Sequence, residues 1–540
     1  MVLGIEKGKG LIVLLILLIL VGAVMSGCLR KQTKPGDVVT QKLPQTAIAK
    51  NYVLDGPIYS TSADYYKGGL KELTDWVPHL KDTGFKTIYL LPVWSENSYT
   101  PDDYYKINPK IGTEADLKNL VETVHNNDMK ILFDLVTGYS NNIPNNFIYN
   151  NHPDWQLKDK NGNILKFYPD RWGPAIDRGN PEVIKYFSDV AAYYVQQYDI
   201  DGWRIDAPQN NYDPKIIQGD HSATELLRQV HLAITNVKPN SIMLAEIPGP
   251  DCENNPACEP LYDEMCEISY DWFLIGQVKS GMDSVPQNIK VVVQRIMNKL
   301  KAGGNPDPAD IKIVSSWSQE TYGIEIKNKN DARKVQEKIL NTYGSPSGFA
   351  DKIIKNEANS ADLVNFLKSE KILYNRYRVR WFESPDTHAR TITVYPNNYK
   401  NLLILIITVP GVPFIHAGQE TGETEANYFS GNINKSVNDF YKKVFSVRSQ
   451  NPGLKYGTIE NIWDSGDKSI AYLRNYENNN VIVILNFQNK QVASVLRLPS
   501  QFKTGDILID ELGGETYTIS DPSKLQITVP AYGARILTLK

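Results

Sequence analysis

Hydrophobic and polar positions follow two alternating patterns between about Tyr52 and Gln450. Short apolar runs of strand length are followed by segments whose apolar residues recur at helical spacing. In 113–127, Thr113 can cap a helix whose leucines and valines share one face. The recognisable strands are expected at 87–91, 130–135, 201–206, 241–246, 268–272, 379–382 and 412–415. This alternation predicts an α/β fold, specifically a (β/α)8 TIM barrel.

Two stretches interrupt the alternation and a third follows it. Residues 139–178 are rich in Asn, Pro, Asp and Trp, which predicts an excursion from the barrel. Residues 277–375 are polar and mostly helical in character, and predict a helical insertion. The barrel region is expected to span 47–450. Residues 451–540 show short alternating runs typical of an antiparallel β domain.

The N-terminal residues 1–28 have the pattern of an export signal. Basic residues precede an apolar run that ends in Met-Ser-Gly-Cys28. This ending resembles a prokaryotic lipobox, which predicts cleavage before Cys28 and a lipid on that cysteine. Residues 29–46 are polar and predict a tether. A retained signal anchor is the alternative, and both interpretations predict an exported protein at the cell membrane, facing the extracellular side.

Composition argues against a nucleic-acid partner, and the cysteines allow a disulfide. The 540 residues carry a net charge of -3, with 41% hydrophobic and 22% charged residues, as in a soluble globular protein without a nucleic-acid partner. Outside the cell, a disulfide could join Cys252 to Cys258 or Cys258 to Cys266. No two of the 7 histidines have i, i+4 spacing, so the sequence has no zinc signature and no metal-ligating residue is assigned.

Three carboxylates carry the chemical prediction. Asp206 ends the run Gly-Trp-Arg-Ile-Asp, Glu246 ends Met-Leu-Ala-Glu, and Asp386 ends Phe-Glu-Ser-Pro-Asp. Arg204 lies two residues before Asp206. The strands of a TIM barrel bring distant residues to one rim, and a glycosidase needs two carboxyl groups on opposite sides of a sugar bond. The set therefore predicts a glycosidase site.

At these motifs the chain resembles the α-amylase family, glycoside hydrolase family thirteen, from roughly Tyr52 to Lys540. The segments that carry the resemblance are YTPDDYY at 99–105, DLV at 134–136, GWRID at 202–206, MLAE at 243–246, FESPD at 382–386 and PGVPFIHAGQE at 410–420. The excursion at 139–178 is similar to the family's inserted domain B. The C-terminal residues are similar to its domain C, which implies a β-sandwich domain.

The resemblance implies a retaining double displacement. Asp206 would be the nucleophile and Glu246 the acid and base, with the two carboxyls about 5 Å apart. Arg204 would hold Asp206 ionised and aimed. Asp386 would grip sugar hydroxyls in the transition state, and Tyr99 would stack under that sugar.

Several positions depart from the family pattern. The family's first region usually ends in asparagine and histidine, where this chain has Gly138 and Tyr139. The asparagine normally helps to bind a structural calcium, so Gly138 puts that site in doubt, and no cofactor is expected to be required. Tyr139 would replace the histidine's hydrogen bond to the sugar only in part. Pro385 replaces a histidine before Asp386, and Gln and Asn at 209–210 replace a lysine and a histidine.

Other residues near the motifs are expected to be structural. Asp134 should support Arg204 or the barrel rim. His416 is expected to be a satisfied rim residue without a catalytic role. Core or domain-B packing is the expected role of three tryptophans that could also line sugar subsites, namely Trp94, Trp155 and Trp172.

The predicted function is hydrolysis of α-1,4-glucosidic bonds in starch or maltodextrins by a membrane-anchored enzyme. Two alternatives stay open. A transglycosylase of the same family would use the same covalent intermediate and differ only in the access of water. A catalytically idle glycan-binding barrel is the second, because family histidines are missing from the site.

Overall fold

The computed structural model describes residues 55–540, apart from 95–98, 102, 142–145, 168–172, 209–222, 247–265, 271–273, 275–288, 290–291, 293–294, 296–306, 323–348, 356, 370–376, 387–389, 426 and 464–468. The predicted export signal, Cys28, the tether, Cys252, Cys258, Trp172 and positions 209–210 lie outside these residues. Cys266 is buried, but both pairings predicted for the cysteines involve undescribed positions and stay predictions.

Eight parallel strands close into a barrel, and each strand pairs with the next. The closing pair joins the first strand to the last, with Ile58 opposite Phe414. The strands are β1 Ile58–Thr61, β2 Thr87–Leu90, β3 Lys130–Val136, β4 Gly202–Asp206, β5 Ile242–Ala245, β6 Ile268–Tyr270, β7 Tyr377–Arg380 and β8 Val412–His416. Nearly all of their residues are buried, as expected for parallel strands covered on both faces. The predicted TIM barrel is confirmed.

Helices follow most of the barrel strands, and some of them begin at a side-chain cap. They are α1 Leu70–Thr83, α2 Glu114–Asn126, α3 Phe147–Asn151, α4 Pro181–Tyr198, α5 Thr224–Val237, α6 Pro308–Tyr322, α7 Phe349–Ile354, α8 Ser360–Ser369, α9 Thr391–Val394, α10 Tyr399–Thr408, α11 Lys435–Gln450 and α12 Pro452–Tyr456. Thr113 and Asp116 form a complete capping box before α2. Within the described part of the chain, no helix is long and apolar enough to cross a membrane.

The excursion after β3 is held by isolated bridges rather than by long strands. Tyr139 pairs with Ala175, and Gln156 pairs with Ile176. Its apolar core is continuous with the end of β3 and with the residue after β4, and comprises Val136, Tyr139, Leu157, Phe167, Ala175 and Ala207. The excursion therefore packs directly against the strand ends where the predicted carboxylates lie. The described residues of 277–375 include α6, α7 and α8, and the insertion itself stays a prediction.

The C-terminal residues form two antiparallel sheets around one apolar core, as predicted for a β-sandwich. The strands are β9 Thr458–Asn461, β10 Ile470–Tyr476, β11 Asn479–Leu485, β12 Val492–Leu496, β13 Ile507–Asp510, β14 Thr516–Thr518, β15 Leu525–Val529 and β16 Ala534–Leu539. One sheet has the order β14-β13-β16-β11-β10-β9, and β12 pairs with β15 in the other.

The β-sandwich is joined to the barrel through buried polar contacts. Arg474 of β10 donates to the carbonyl of Thr408, the last residue of α10, and to the carbonyl of Gly457 at 2.7 Å. The hydroxyls of Thr408 and Tyr472 lie 2.6 Å apart. Asn401 of α10 donates to the carbonyl of Asn486 at 2.8 Å. Polar groups at the end of α10 therefore find their hydrogen-bond partners in the β-sandwich.

Candidate active site

The carboxyl ends of neighbouring strands bring the predicted site residues together. In the register of β3 and β4, Asp134 lies opposite Arg204 and Val136 opposite Asp206. Ile205 pairs with Ala245 of β5, so Glu246 follows directly beside the end of β4. Catalytic residues of TIM barrels lie at this end of the strands. The strand order thus explains how residues far apart in the chain meet.

Arg204 is the centre of the site and contacts three carboxylates. Its Nη1 lies 2.8 Å from Asp134 Oδ1 and 2.8 Å from Asp206 Oδ1. Its Nη2 lies 2.8 Å from Glu246 Oε2. A planar guanidinium can serve several carboxylates at once, which a lysine cannot do with the same geometry. Asp206 and Glu246 are therefore held by opposite ends of one rigid group.

Two tyrosines that the sequence reasoning did not assign enclose the guanidinium. The Cζ of Arg204 lies 5.7 Å from the ring centroid of Tyr89 and 5.6 Å from that of Tyr270, within the range of a cation–π interaction. Tyr89 occupies a barrel-facing position of β2, and Tyr270 ends β6. Their only sequence signal is an aromatic residue in a buried strand, which also describes ordinary core packing.

Asp134 supports Arg204 from β3. It is fully buried, and its Oδ2 accepts hydrogen bonds from Tyr89 at 2.6 Å and from Tyr99 at 3.4 Å. Burial raises the pKa of Asp134 to about 6, with Asp206 acting in the same direction and Arg204 opposing. Asp134 thus connects Tyr99 to Arg204 through hydrogen bonds.

Glu246 has the environment of a general acid. Burial raises the pKa of its carboxyl well above the usual range, and Asp206 and Asp386 raise it further. Arg204 and the backbone N–H of Ala207, which donates to Glu246 Oε2 at 3.0 Å, both act in the lowering direction. A carboxyl that stays protonated near neutral pH can protonate a leaving oxygen.

Asp386 and Tyr139 border the same site. Asp386 follows β7, is exposed, and has its backbone N–H bonded to Ser384 Oγ at 3.2 Å. Its negative charge acts on Glu246 and Tyr99, which places it on the same face of the barrel. Tyr139 is buried, with its ring 5.2 Å from that of Phe167, and it lies within the electrostatic range of Asp206 and Glu246.

Residues expected to be structural have clear packing partners. Trp94 is fully buried and donates to the Tyr194 hydroxyl at 2.8 Å. Trp155 is buried and donates to Glu182 at 3.1 Å. His416 is buried at the end of β8, with Nε2 2.8 Å from Asn427 Oδ1.

No group of three metal-ligating side chains suited to a metal ion occurs among the described residues. Gly138 occupies the position of the family's calcium-binding asparagine. A Cβ atom added to Gly138 would lie 2.8 Å from two atoms of the Phe167 ring. An asparagine side chain therefore does not fit beside Phe167 in this arrangement, and position 138 supplies no calcium ligand of the family type.

Two segments of the chain match known families. Residues 57–154 match the model for the α-amylase catalytic domain, and residues 461–536 match the model for the C-terminal domain of maltogenic amylases. The first matched segment runs from β1 into the excursion, and the second covers most of the β-sandwich.

Individual proteins that are similar to this chain include a cyclomaltodextrinase and an α-amylase. A cyclomaltodextrinase of Thermoanaerobacter pseudethanolicus is 25% identical over 458 residues, which are 80% of this chain and 65% of that protein. An α-amylase of Dictyoglomus thermophilum is 32% identical over 461 residues, 78% of this chain and 65% of the relative. The chain thus spans slightly less than two thirds of these relatives.

Solved structures resemble the fold of the barrel and the β-sandwich. The crystal structure of an α-amylase from Geobacillus thermoleovorans, complexed with acarbose, has a TM-score of 0.65 at 17% identity. The match covers 91% of this chain and 99% of that structure. The likeness supports the predicted architecture.

Proposed function

We propose that this protein is a retaining glycoside hydrolase that cleaves α-1,4-glucosidic bonds in maltodextrins, starch or cyclic maltodextrins. The observation that carries the proposal is Arg204, whose single guanidinium contacts both Asp206 and Glu246 at adjoining strand ends. A retaining enzyme needs two carboxyls about 5 Å apart, one ionised and one protonated. The similarity to a cyclomaltodextrinase and an α-amylase supports this substrate class.

The reaction follows from the environments of the two carboxyls. Asp206, ionised beside Arg204, attacks the anomeric carbon and displaces the glycosidic oxygen, while Glu246 gives that oxygen its proton. The resulting glycosyl ester on Asp206 is then attacked by water. Glu246 takes one proton from that water, and Asp206 leaves as carboxylate. Asp386 binds hydroxyls of the distorted sugar, and Tyr99 provides a ring beneath it.

The two carboxyl roles can be separated with an aryl α-maltoside whose leaving group needs no proton. Asp206→Ala should lose turnover of both maltoheptaose and the aryl substrate by about 10⁴-fold, because no ester forms. Glu246→Ala should lose maltoheptaose turnover and still release a burst of the aryl group. Asp189→Asn, on an exposed face of α4, is the matched control and should behave as wild type.

Product analysis tests the reaction itself. Maltoheptaose and a cyclic maltodextrin should give shorter linear products that retain the α configuration. Products longer than maltoheptaose would contradict hydrolysis as the main reaction and show transglycosylation instead. An absence of turnover on every α-glucan, with folded protein, would contradict the proposal and leave a glycan-binding barrel.

We also propose export and lipid attachment at Cys28, supported by the basic start, the apolar run and the Met-Ser-Gly-Cys ending. The full chain should then be found in the membrane fraction with incorporated fatty acid. Cys28→Ser should abolish the incorporation. Incorporation of lipid that survives this substitution would contradict the proposal.

A further inference from the structure

The residue after the predicted nucleophile has a strained backbone. Ala207 has φ 33°, in the left-handed region that is unfavourable for residues with a Cβ. Its N–H donates to Glu246 Oε2 at 3.0 Å, and its carbonyl accepts from Arg178 Nη1 at 3.1 Å. Such strain persists only where the surroundings fix it, and often occurs at active sites. Ala207 therefore links Glu246 to Arg178.

Arg178 reaches this carbonyl from the end of the excursion. It is 1% exposed, and its Cζ lies 5.4 Å from the ring centroid of Phe167. The ring in turn fills the space beside Gly138, where a Cβ would lie 2.8 Å from it. We call Arg178, Phe167 and the backbone of Ala207 the arginine clamp. It connects the excursion to the catalytic strand ends through side chains of this protein.

We propose that Arg178 is a positioning residue for the acid/base. By holding the Ala207 carbonyl, it keeps the Ala207 N–H aimed at Glu246, and it joins the excursion to the barrel without a metal ion. The inference rests on the proposed function for its kinetic consequence. It does not require calcium, because Phe167 occupies the space that an asparagine ligand at position 138 would need.

The test compares Arg178→Gln with Arg178→Lys. The glutamine variant should lower kcat by at least about tenfold, since small displacements of a catalytic group are costly. The alkaline limb of the kcat/KM profile should move to higher pH, because the N–H of Ala207 lowers the pKa of Glu246. The other groups acting on Glu246 are Arg204, Asp206, Asp386, Tyr139 and Tyr270. These stay unchanged, and the lysine variant should recover part of the loss.

Arg448→Gln is the control for a purely structural arginine. Arg448 is equally buried and donates to the carbonyls of Ile407, Leu454 and Gly411, away from the carboxylates. Its variant should unfold at lower temperature with an unmoved pH profile. A pH profile of Arg178→Gln that matches wild type, with activity reduced only in proportion to folded protein, would overturn the positioning role.

Two readouts do not depend on turnover and separate this inference from the proposed function. The Ala207 amide should exchange its hydrogen faster in Arg178→Gln than in wild type. Wild-type unfolding temperature should be the same in calcium chloride and in chelator, and calcium should not restore the variant. Stabilisation of wild type by calcium, or unchanged Ala207 exchange, would contradict the clamp. Failure of wild-type turnover alone would contradict only the proposed function.

A second set of contacts fixes Asp386. Asn427 has φ 53°, and its Nδ2 donates to the carbonyl of Pro385 at 3.0 Å. Its Oδ1 lies 2.8 Å from His416 Nε2, and His416 Nδ1 lies 3.4 Å from Ser60 Oγ. Burial lowers the pKa of His416 to about 3, with Arg390 acting in the same direction, so the ring is neutral and its Nε2 donates.

The geometry points to Asn427 as a positioning residue for Asp386, supported by His416. The family's histidine before the aspartate is replaced here by Pro385, which has no side-chain donor and no N–H. The proline still has a carbonyl, and Asn427 holds it. The loop that carries Asp386 is therefore fixed through its backbone, from β8, rather than through a side chain of its own.

Asn427→Gly tests this role because glycine keeps the positive φ while removing the amide. It should lower kcat/KM for maltoheptaose about tenfold or more and speed hydrogen exchange of the Asp386 amide. The exposed Asn432→Ala is the matched control and should match wild type. Wild-type exchange at Asp386 in Asn427→Gly would overturn the role, whether or not the enzyme turns over α-glucans.

Discussion

At the scale of single residues, the site depends on a cation that serves several anions. Arg204 is 3% exposed and lies among Asp134, Asp206 and Glu246. Removing one partner from such a buried set leaves charge without compensation, which typically costs several kcal/mol. The same contacts that aim the carboxylates therefore also constrain how the site can vary.

Arg204→Lys should retain the charge and lose the geometry. A lysine is a point charge and cannot hold Asp206 and Glu246 with two separate nitrogens, so kcat should fall by about a hundredfold or more. Steady-state kinetics on maltoheptaose at matched folded protein give the measurement. Wild-type kcat in this variant would show that the shared guanidinium is not needed.

Glu420→Gln should alter the pH dependence of stability. Glu420 is fully buried, accepting from Tyr59 and from the N–H of Gly418, and burial raises its pKa to about 7. The folded pKa lies above the unfolded value of about 4.3, so the folded state binds the proton more tightly. The free energy of unfolding should therefore fall as pH rises through this window.

The glutamine variant should lack this part of the decline. Urea unfolding of both proteins across the window gives the comparison, and the residual slope in the variant reports other groups, including Asp134. Parallel pH curves for the two proteins would contradict the assignment to Glu420.

At the scale of elements, helix ends that depend on local residues were predicted well, whereas strand ends that depend on tertiary packing were not. The ends of α2 agree with the helix predicted at 113–127, because the Thr113 cap and the helical apolar spacing are local features. The strand β7 begins and ends two residues earlier than predicted, since Phe382 is buried beyond the strand end. Burial of a residue outside a strand cannot be distinguished from strand character by sequence alone.

In the candidate site too, residues in local motifs were predicted and residues that act through distant contacts were not. Asp206, Glu246 and Asp386 stand in motifs at strand ends and were predicted. Arg178 and Asn427 were not, because they bind backbone carbonyls of distant segments. Such contacts have no local sequence pattern.

Thr113→Ala should destabilise the protein through α2. The Thr113 hydroxyl accepts from the N–H of Asp116, and the Asp116 side chain accepts from the N–H of Thr113. Losing a side-chain cap typically costs about 1 kcal/mol. Chemical unfolding should show this loss, while Lys118→Ala on the exposed face of the same helix should show little change. Equal effects of the two substitutions would contradict a specific capping role.

At the scale of the whole molecule, the barrel and the β-sandwich are joined by hydrogen bonds between buried polar groups. Arg474 is buried, and its donors are used by carbonyls of Thr408, Gly457 and Thr458. A buried carbonyl that loses its donor pays its full desolvation cost. The sandwich therefore stabilises α10 as well as itself.

Calorimetry should consequently give one unfolding transition for the barrel and the β-sandwich together. Arg474→Leu should lower the temperature of that transition as a whole, because both domains lose the same contacts. Two transitions, of which only one responds to the substitution, would show that the sandwich unfolds independently of the barrel.

The contact between Gly138 and Phe167 couples the choice of residue at the two positions. An asparagine at position 138 would clash with the Phe167 ring, and a smaller residue at position 167 would remove the ring beside Arg178. Each substitution alone is therefore expected to destabilise the excursion. A side chain at position 138 can be accommodated only if position 167 changes as well, and Arg178 then needs a new packing partner.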